Sequence, residues 1–351
     1  TQTFLRWWCR LGVTVSRGVR LSRCRWHPGM GEFLPRGGGG GVHTPMDLDL
    51  SQCQLQDRDL QELCAQGLPA FRTVRLWGNR HLTEEGLTPL LEACGACLHL
   101  LDVSLTSFSD SGCAQCGPLL PVLKDLRLWG CSSVSTAGLS ALLLASPAQP
   151  KASTHSSVGV LLEGLESLNV NWCSAVDSLP LTEVTALPLL RSFRCSKCER
   201  LPIETLIELF SRAPSLQELD FTDCPQVNDA VLLAMSEHCK HVQQLSVSGC
   251  SLVTDTGGRC IAQYHHLHGV GLRGTMVADT TACDILKGCP LLEMADFSGT
   301  LLSDASLDAL VLHHSSVHSC LVDFRVHHCS GISPAALHAL KQGPLGALLK
   351  C

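Results

Sequence analysis

The chain has 351 residues, of which 45% are hydrophobic and 17% charged, a composition far from that of disordered proteins. No run reaches the roughly 18 apolar residues that a transmembrane helix needs, so we expect a soluble protein with no membrane partner. The net charge is −6, yet residues 1–45 hold seven Arg and a single acidic residue, Glu32. The rest of the chain therefore holds 19 basic against 31 acidic residues, a balance that argues against nucleic acid as a partner.

The N-terminal segment 1–45 differs from everything that follows. It is rich in Arg, it contains five consecutive glycines at 37–41, and it lacks the period of the remaining chain. Its "LPRGGGGG" run does not read as an F-box, because polyglycine stands where amphipathic helices would be needed. We interpret this segment as a leader that is disordered or mispredicted, with an organelle targeting peptide as the alternative.

From residue 46 to 351 an internal repeat dominates the sequence. A motif Leu-x-Leu-x-x-(Cys/Asn/Thr) recurs with a period of about 26, and successive closing residues are 25 to 29 positions apart except for one step of 42. The long step predicts a Ser/Pro/Ala-rich insertion near 145–160, which is either a plain spacer or part of a binding face. The closing residues, called anchors below, are Cys53, Asn79, Thr106, Cys131, Cys173, Cys198, Cys224, Cys250, Thr275, Thr300 and Cys329.

Each repeat predicts a strand, a turn and a helix. Apolar residues stand five and three positions before nearly every anchor, as Val74 and Leu76 do, and this alternation is typical of a strand with one buried face. A polar pair that can cap a helix follows the anchor, such as Asn228-Asp229, and an apolar segment of helical period comes next. No such unit can bury its apolar face alone, so stacking of successive units must supply the core.

The stretch "LQELDFTDCPQVNDAVLLAMSEHC" at 216–239 resembles the cysteine-containing class of leucine-rich repeat, with Cys239 as the second cysteine near the helix end. The resemblance implies an α/β solenoid, or horseshoe, of about eleven strand-turn-helix repeats with a parallel sheet on its concave face and helices outside. Repeats of this class are most familiar from F-box/leucine-rich-repeat proteins, the substrate receptors of SCF-type ubiquitin ligases, and from related proteins that lack the F-box. The resemblance implies capture of another protein on the concave face.

Cysteine and histidine are abundant, but they form no recognisable chemical site. Seven of the eleven anchors are Cys, and we expect these thiols to be reduced, inward-facing and bonded to backbone carbonyls, which favours a cytoplasmic or nuclear location. Cys195 and Cys198 both occupy repeat positions, and His314 and His318 lack the Glu of a metalloprotease motif. There is no phosphate-binding loop or nucleophile elbow either. The sequence therefore predicts no enzyme, no cofactor and no metal site.

Partner contacts are expected from the residues two and four positions before each anchor, which point away from the buried face. Large and cationic side chains gather in the first half of the repeats, and Trp77 and Trp129 should stand about 10 Å apart on either side of Ser104, since parallel strands are spaced at about 4.8 Å. Exposed Trp and Arg are enriched at interface hot spots, although the same residues could be repeat drift. The predicted partner-binding residues are Arg75, Trp77, Asp102, Arg127, Trp129, Asn171, Trp172 and Arg194.

Two classes of function remain open at this level. In the first, the chain is a substrate-recognition adaptor in SCF-dependent ubiquitination, with a ubiquitination substrate as its partner and a Skp1-type adaptor as a second partner if an F-box lies upstream. In the second, it is a scaffold or inhibitor without a link to a ligase, and its partner is a client protein.

Overall fold

In the computed structural model, the chain is described at residues 18–23, 46–145, 161–316, 320–342 and 349–350. It forms two compact units, Thr1–Leu187 and Pro188–Cys351. The predicted insertion near 145–160 lies almost entirely outside the described residues. Within the described part, no helix is both long enough and apolar enough to cross a membrane.

The first unit contains a parallel sheet in which each strand pairs with the next strand along the chain. Its strands are β1 (Gly18–Arg20), β2 (Met46–Asp49), β3 (Phe71–Arg75), β4 (Leu100–Asp102), β5 (Asp125–Arg127) and β6 (Ser167–Asn169). Its helices are α1 (Asp57–Ala65), α2 (Glu84–Cys94), α3 (Asp110–Cys116), α4 (Thr136–Leu143) and α5 (Leu161–Gly164), with short 3₁₀ turns at Gly95–Cys97, Gly117–Leu119 and Leu181–Glu183.

The second unit repeats the same order of elements. Its parallel strands are β7 (Ser192–Arg194), β8 (Glu218–Asp220), β9 (Gln244–Ser246), β10 (Gly269–Gly271), β11 (Met294–Asp296), β12 (Asp323–Arg325) and β13 (Leu349–Lys350). Its helices are α6 (Ile203–Arg212), α7 (Asp229–His238), α8 (Asp255–Ile261), α9 (Asp279–Gly288), α10 (Asp304–Ser316) and α11 (Pro334–Gln342).

Strand β1 corrects the prediction that residues 1–45 stand apart from the repeats. Gly18–Arg20 pairs in parallel with β2, and Leu21 is buried beneath it. The thiol of Cys53 donates to the carbonyl of Leu21 at 2.9 Å, as anchor cysteines do in later repeats. In sequence, "RLSRC" at 20–24 matches "RLWGN" at 75–79, so a diverged repeat was missed inside the leader. The rest of the leader lies outside the described residues.

Each of the eleven predicted repeats contributes one strand, and the predicted alternation forms the core. Val74 and Leu76 are fully buried, as are Leu126 and Leu128 two repeats later. Burying such a side chain contributes about 1.5 to 3 kcal/mol, and every repeat adds several. The helices supply the other wall of the core, for example through Leu139.

The anchors bond to backbone carbonyls, as predicted. The Cys131 thiol donates to the Val103 carbonyl of the preceding repeat at 3.2 Å, and the Cys250 thiol donates to the Phe221 carbonyl at the same distance. The hydroxyl of the anchor Thr106 donates to Val103 at 2.7 Å, within its own repeat. All three side chains are therefore buried donors with a partner, which is the arrangement that buried polar groups require.

The residue before each anchor adopts a left-handed backbone conformation. Gly78 and Gly130, with φ of 78° and 70°, do so without strain because they have no Cβ. The conformation nevertheless recurs where the residue is not glycine, so it belongs to the repeat and not to the residue type. The full set with positive φ at this position is Gln52, Gly78, Leu105, Gly130, Trp172, Lys197, Asp223, Gly249, Gly274, Gly299 and His328.

The polar pairs at the helix starts have two different tasks. The first member is the N-cap: Asn228 Oδ1 accepts from the N–H groups of Ala230 and Val231. The second member reaches the next repeat instead of its own helix, since the Asp229 carboxylate accepts from the Thr254 N–H at 2.8 Å and from its hydroxyl at 2.6 Å. Asp57, Asp110, Asp279 and Asp304 likewise accept from the helix-start residue of the following repeat.

Candidate protein-binding site

The exposed face of the first unit's sheet contains seven of the eight residues predicted for partner binding. They lie on β3 to β6 and in the turns that follow these strands. Arg194 belongs to β7 in the second unit and is described separately below.

Two indole rings form the centre of this face. Trp77 and Trp129 stack with ring centroids 6.3 Å apart and planes 12° from parallel, and both are half-buried. The predicted separation of about 10 Å is correct for their strands but wrong for the rings, because the side chains lean toward each other over the small, buried Ser104. Trp77 Nε1 is buried and has no hydrogen-bond partner among the described residues. The pair is a flat apolar plate on an otherwise polar surface.

Two arginines, Arg75 and Arg127, lie two positions before these tryptophans, at the ends of β3 and β5. Arg127 forms a bidentate pair with Asp125 of its own strand, at 3.1 Å from Nε and 2.7 Å from Nη2. This fixes the guanidinium while leaving about 40% of the side chain exposed. Arg75 is half-buried and has no ion pair within the described ranges. In the sheet register, Asp102 lies between these two arginines.

Asp102 and Asn171 offer a partner less surface than predicted. Asp102 is only 8% exposed, and its Oδ1 accepts from the Ser104 N–H at 3.0 Å. Asn171 is half-buried, and its N–H donates to Asn169 Oδ1 at the same distance. The acid or amide four positions before an anchor thus closes a small turn at the strand end. We infer that closing this turn is the structural role of Asp102. The alternation of apolar residues in the sequence does not reveal this role.

Trp172 is the most exposed tryptophan of the described chain, at 50%. It stands directly before the anchor Cys173 and has φ of 61°. A bulky side chain in the left-handed region costs about 1 to 2 kcal/mol relative to an ordinary backbone conformation. The preceding repeat has Gly130 at the equivalent position and the following repeat has Lys197, so the large exposed ring differs from both.

The exposed face of the second unit is different in character. Arg194 donates from Nη2 to Glu218 Oε2 at 2.7 Å, and both side chains are nearly half exposed. Beside this pair lies an open cavity of about 290 Å³ whose lining includes Ser246, Gly269 and Gly271. The sequence pattern did not predict this cavity. Two glycines on a single strand, at 269 and 271, were the signal that could have revealed it.

Burial favours the neutral form of several cysteine thiols by raising their pKa values. It raises the pKa of Cys94 and of Cys289 to about 12, and that of Cys131 to about 11. The cysteines of the described part are free thiols, and no group of three or more metal-ligating side chains occurs there. Cys195 and Cys198 are both buried in the repeat core, as predicted from their positions. His314 and His318 lie outside the residues whose side chains are described.

Comparison with known proteins agrees with the repeat. A family model described as Leucine Rich repeat matches residues 238–262. F-box/LRR-repeat protein 4 of Bos taurus is 24% identical over 222 residues, which cover 58% of this chain and 35% of that protein. The chain thus spans only about a third of the length of this relative.

Among solved structures, the yeast complex of Rad7 and Elc1 contains a chain with the same fold. The two chains superimpose with a TM-score of 0.62 at 14% sequence identity, over 85% of this chain and 73% of that one. The parallel strands, the outer helices and the in-register anchors all agree with this likeness. The chain has a leucine-rich-repeat fold built from cysteine-rich repeats, and these repeats are similar to those of an F-box/LRR-repeat protein.

Proposed function

We propose that the protein is an interaction module that captures a protein partner on the exposed sheet face of its first unit. The observation that carries this proposal is the stacked pair Trp77 and Trp129, which is half-buried on a polar surface. Arg75 and Arg127 flank the pair, and Trp172 adds a third exposed ring. We name these five residues the Trp–Arg patch.

The chemistry of the Trp–Arg patch favours binding over catalysis. Trp and Arg are the residues most enriched among interface hot spots, where each contributes 2 kcal/mol or more. The stacked rings and the bidentate Arg127–Asp125 pair are already ordered, so less conformational entropy is lost when a partner docks.

We further propose that the captured protein is a ubiquitination substrate and that the chain acts as an F-box/LRR-like recognition adaptor in an SCF complex. Two likenesses support this: the relative named F-box/LRR-repeat protein 4, and the fold of a chain in the yeast complex of Rad7 and Elc1. In this role the protein would work with a Skp1-type adaptor in the cytoplasm or nucleus. The alternative is a scaffold or inhibitor that binds a client without ligase activity.

The patch is tested by proximity labelling in cells with the wild-type chain and with Trp77→Ala/Trp129→Ala. For proteins labelled by the wild type, the labelling signal should fall at least tenfold with the double variant, because two hot-spot residues are removed. Val122→Ala, which trims another exposed apolar side chain of the same unit, is the matched control and should retain the signal. A double variant that labels like the wild type, with an unchanged urea unfolding midpoint, would contradict the proposal.

The ligase role is tested on the labelled proteins themselves. Depleting the chain should lengthen the half-life of its partner, and a proteasome inhibitor should remove that difference. Co-purification with a Skp1-type adaptor is expected as well. If the partner still binds but its half-life does not respond to depletion, the scaffold alternative holds.

A further inference from the structure

The second unit has a gap in its exposed sheet face at strand β10. Gly269 and Gly271 both face this surface, so the strand presents no side chains there. The neighbouring strands do present them: Gln244 and Ser246 lie on one side, and Met294 and Asp296 on the other. Since β9 and β11 are two strand spacings apart, the gap is about 10 Å wide. It forms the cavity of about 290 Å³.

Hydroxyl groups cover the floor of this cavity. Thr222 Oγ1 lies 2.8 Å from Ser246 Oγ, which donates to Ser248 Oγ at 3.3 Å. A Cβ placed on Gly271 would lie 2.8 Å from Ser246 Oγ and 2.9 Å from Ser248 Oγ. The two hydroxyls therefore reach into the space that the missing side chain leaves, and they are available to a polar ligand group.

The charges around the cavity do not cancel. Arg194 and Glu218 neutralise each other in their salt bridge, and Arg325, whose charge also acts on Asp296, is held by three hydrogen bonds to Asp323. Asp220 and Asp296 remain, and neither forms an ion pair among the described residues. Each carboxylate accepts one backbone N–H at Oδ1, and Asp220 Oδ1 also accepts from the Thr222 hydroxyl at 2.6 Å; the Oδ2 atom of each stays open to an incoming donor.

Three exposed apolar side chains, called the ridge below, follow the strands that line the cavity. Leu252, Met276 and Leu301 follow β9, β10 and β11 in successive repeats and are 54%, 48% and 52% exposed. The cavity itself crosses β8 to β11, a distance of about 14 Å, which matches about four residues of extended chain. A slot of this length beside a ridge suits an extended peptide better than a free cation.

We propose that this groove binds an extended segment of the partner protein, with an arginine or lysine side chain in the cavity between Asp220 and Asp296 and apolar side chains on the ridge. A guanidinium or ammonium offers only donors, and the groove offers carboxylate and hydroxyl acceptors. This inference rests on the proposed protein-binding function, but it concerns a surface separate from the Trp–Arg patch.

The probe is an oriented peptide library, seven residues long, with arginine, lysine, citrulline or glutamate fixed at the centre. Retention on the immobilised full-length chain should be at least tenfold higher for arginine than for citrulline, which has the same shape without the charge. Asp220→Asn/Asp296→Asn should remove most of this preference. The substitution should preserve folding, because an asparagine Oδ1 can accept the same backbone N–H bond, as Asn169 Oδ1 does in its own repeat.

Two further variants make the test specific. Gly269→Val fills the cavity without touching a charge; its backbone is not left-handed, and its Cβ meets only the flexible end of Gln244. It should abolish retention of the arginine library, whereas Asp308→Asn, on the exposed side of α10, should not. Equal retention of arginine and citrulline peptides, or retention that survives both the Asn pair and Gly269→Val, would overturn the proposal. Arginine-dependent retention lost only in Trp77→Ala/Trp129→Ala would refute the groove and leave the proposed function intact.

Discussion

Replacing Gly257 by alanine should destabilise the protein, although helix propensity alone predicts the opposite. Gly257 lies in the first turn of α8, where Gly→Ala ordinarily stabilises by about 1 kcal/mol. Here a Cβ would lie 2.5 Å from Asp229 Oδ1 and 2.7 Å from Leu232 Cδ1. The glycine is therefore what allows the carboxylate of the preceding repeat to reach this helix.

The magnitude follows from the bonds that Asp229 would lose. Its carboxylate accepts from the N–H and the hydroxyl of Thr254 and, at 3.0 Å, from the N–H of Gly257. Hydrogen bonds to charged groups contribute about 1.5 to 3 kcal/mol each, and half-buried ones belong at the lower end. Losing two of them costs about 3 kcal/mol, so after the propensity gain of about 1 kcal/mol we expect a net loss of about 2 kcal/mol.

Urea unfolding followed by circular dichroism measures this change. Gly164→Ala is the control, because its Cβ would meet nothing closer than the Leu123 carbonyl at 4.0 Å, and it should be neutral or slightly stabilising. In an Asp229→Ala background, Gly257→Ala should cost much less, since only the flexible tip of Leu232 remains in the way. The reasoning is refuted if Gly257→Ala raises the midpoint, or if its cost is the same with and without Asp229.

Two further predictions concern the thiols and Trp172. Because burial raises the pKa of Cys94 and Cys250 from about 9 to about 12, the stability from their neutral thiols is complete below pH 9 and is lost as the pH rises toward 12. The urea midpoint under reducing conditions should fall between pH 9 and 11, and a constant midpoint would contradict this. Trp172→Gly should change the unfolding free energy by no more than about 1 kcal/mol, because relief of left-handed strain offsets the lost packing of a half-exposed ring. It should also weaken partner binding. If the free energy of unfolding instead falls by more than about 3 kcal/mol, the ring of Trp172 packs as part of the core.

The period of the sequence determined most of the fold. The alternation of apolar residues before the anchors identified the strands from β2 to β12. Because side chains alternate between the two faces of a strand, a shift of one residue would expose the apolar set, so the register is strongly restricted. Strand β1 was missed, since its motif "RLSRC" stands alone in an Arg-rich segment and lacks the Trp or Gly of its counterparts. A single diverged copy is too weak a signal without the neighbouring strand that pairs with it.

The site was predictable in position but not in detail. Strand spacing placed Trp77 and Trp129 on one face, while their stacking depends on side-chain rotamers above Ser104 that spacing does not specify. Asp102 shows a related effect, because a residue that points outward along the strand can still fold back onto a backbone N–H; its contact with a partner stays a prediction. The groove at β10 depends on absent side chains, which a search for functional residue types overlooks.

The left-handed residue of each repeat explains how the exposed face can vary without disturbing the fold. Its N–H donates to the carbonyl of the surface residue in the next repeat: Gln52 donates to Trp77, and Leu105 to Trp129, both at 2.7 Å. The backbone of each tryptophan is therefore held by a bond that does not involve its side chain. A side chain at this position can be a tryptophan in the first unit or Thr222 in the second while the frame stays the same. Evolution can thus change what the face binds by substitution at these positions alone, and this is why a stacked apolar plate and a polar groove can occur on one repeat pattern.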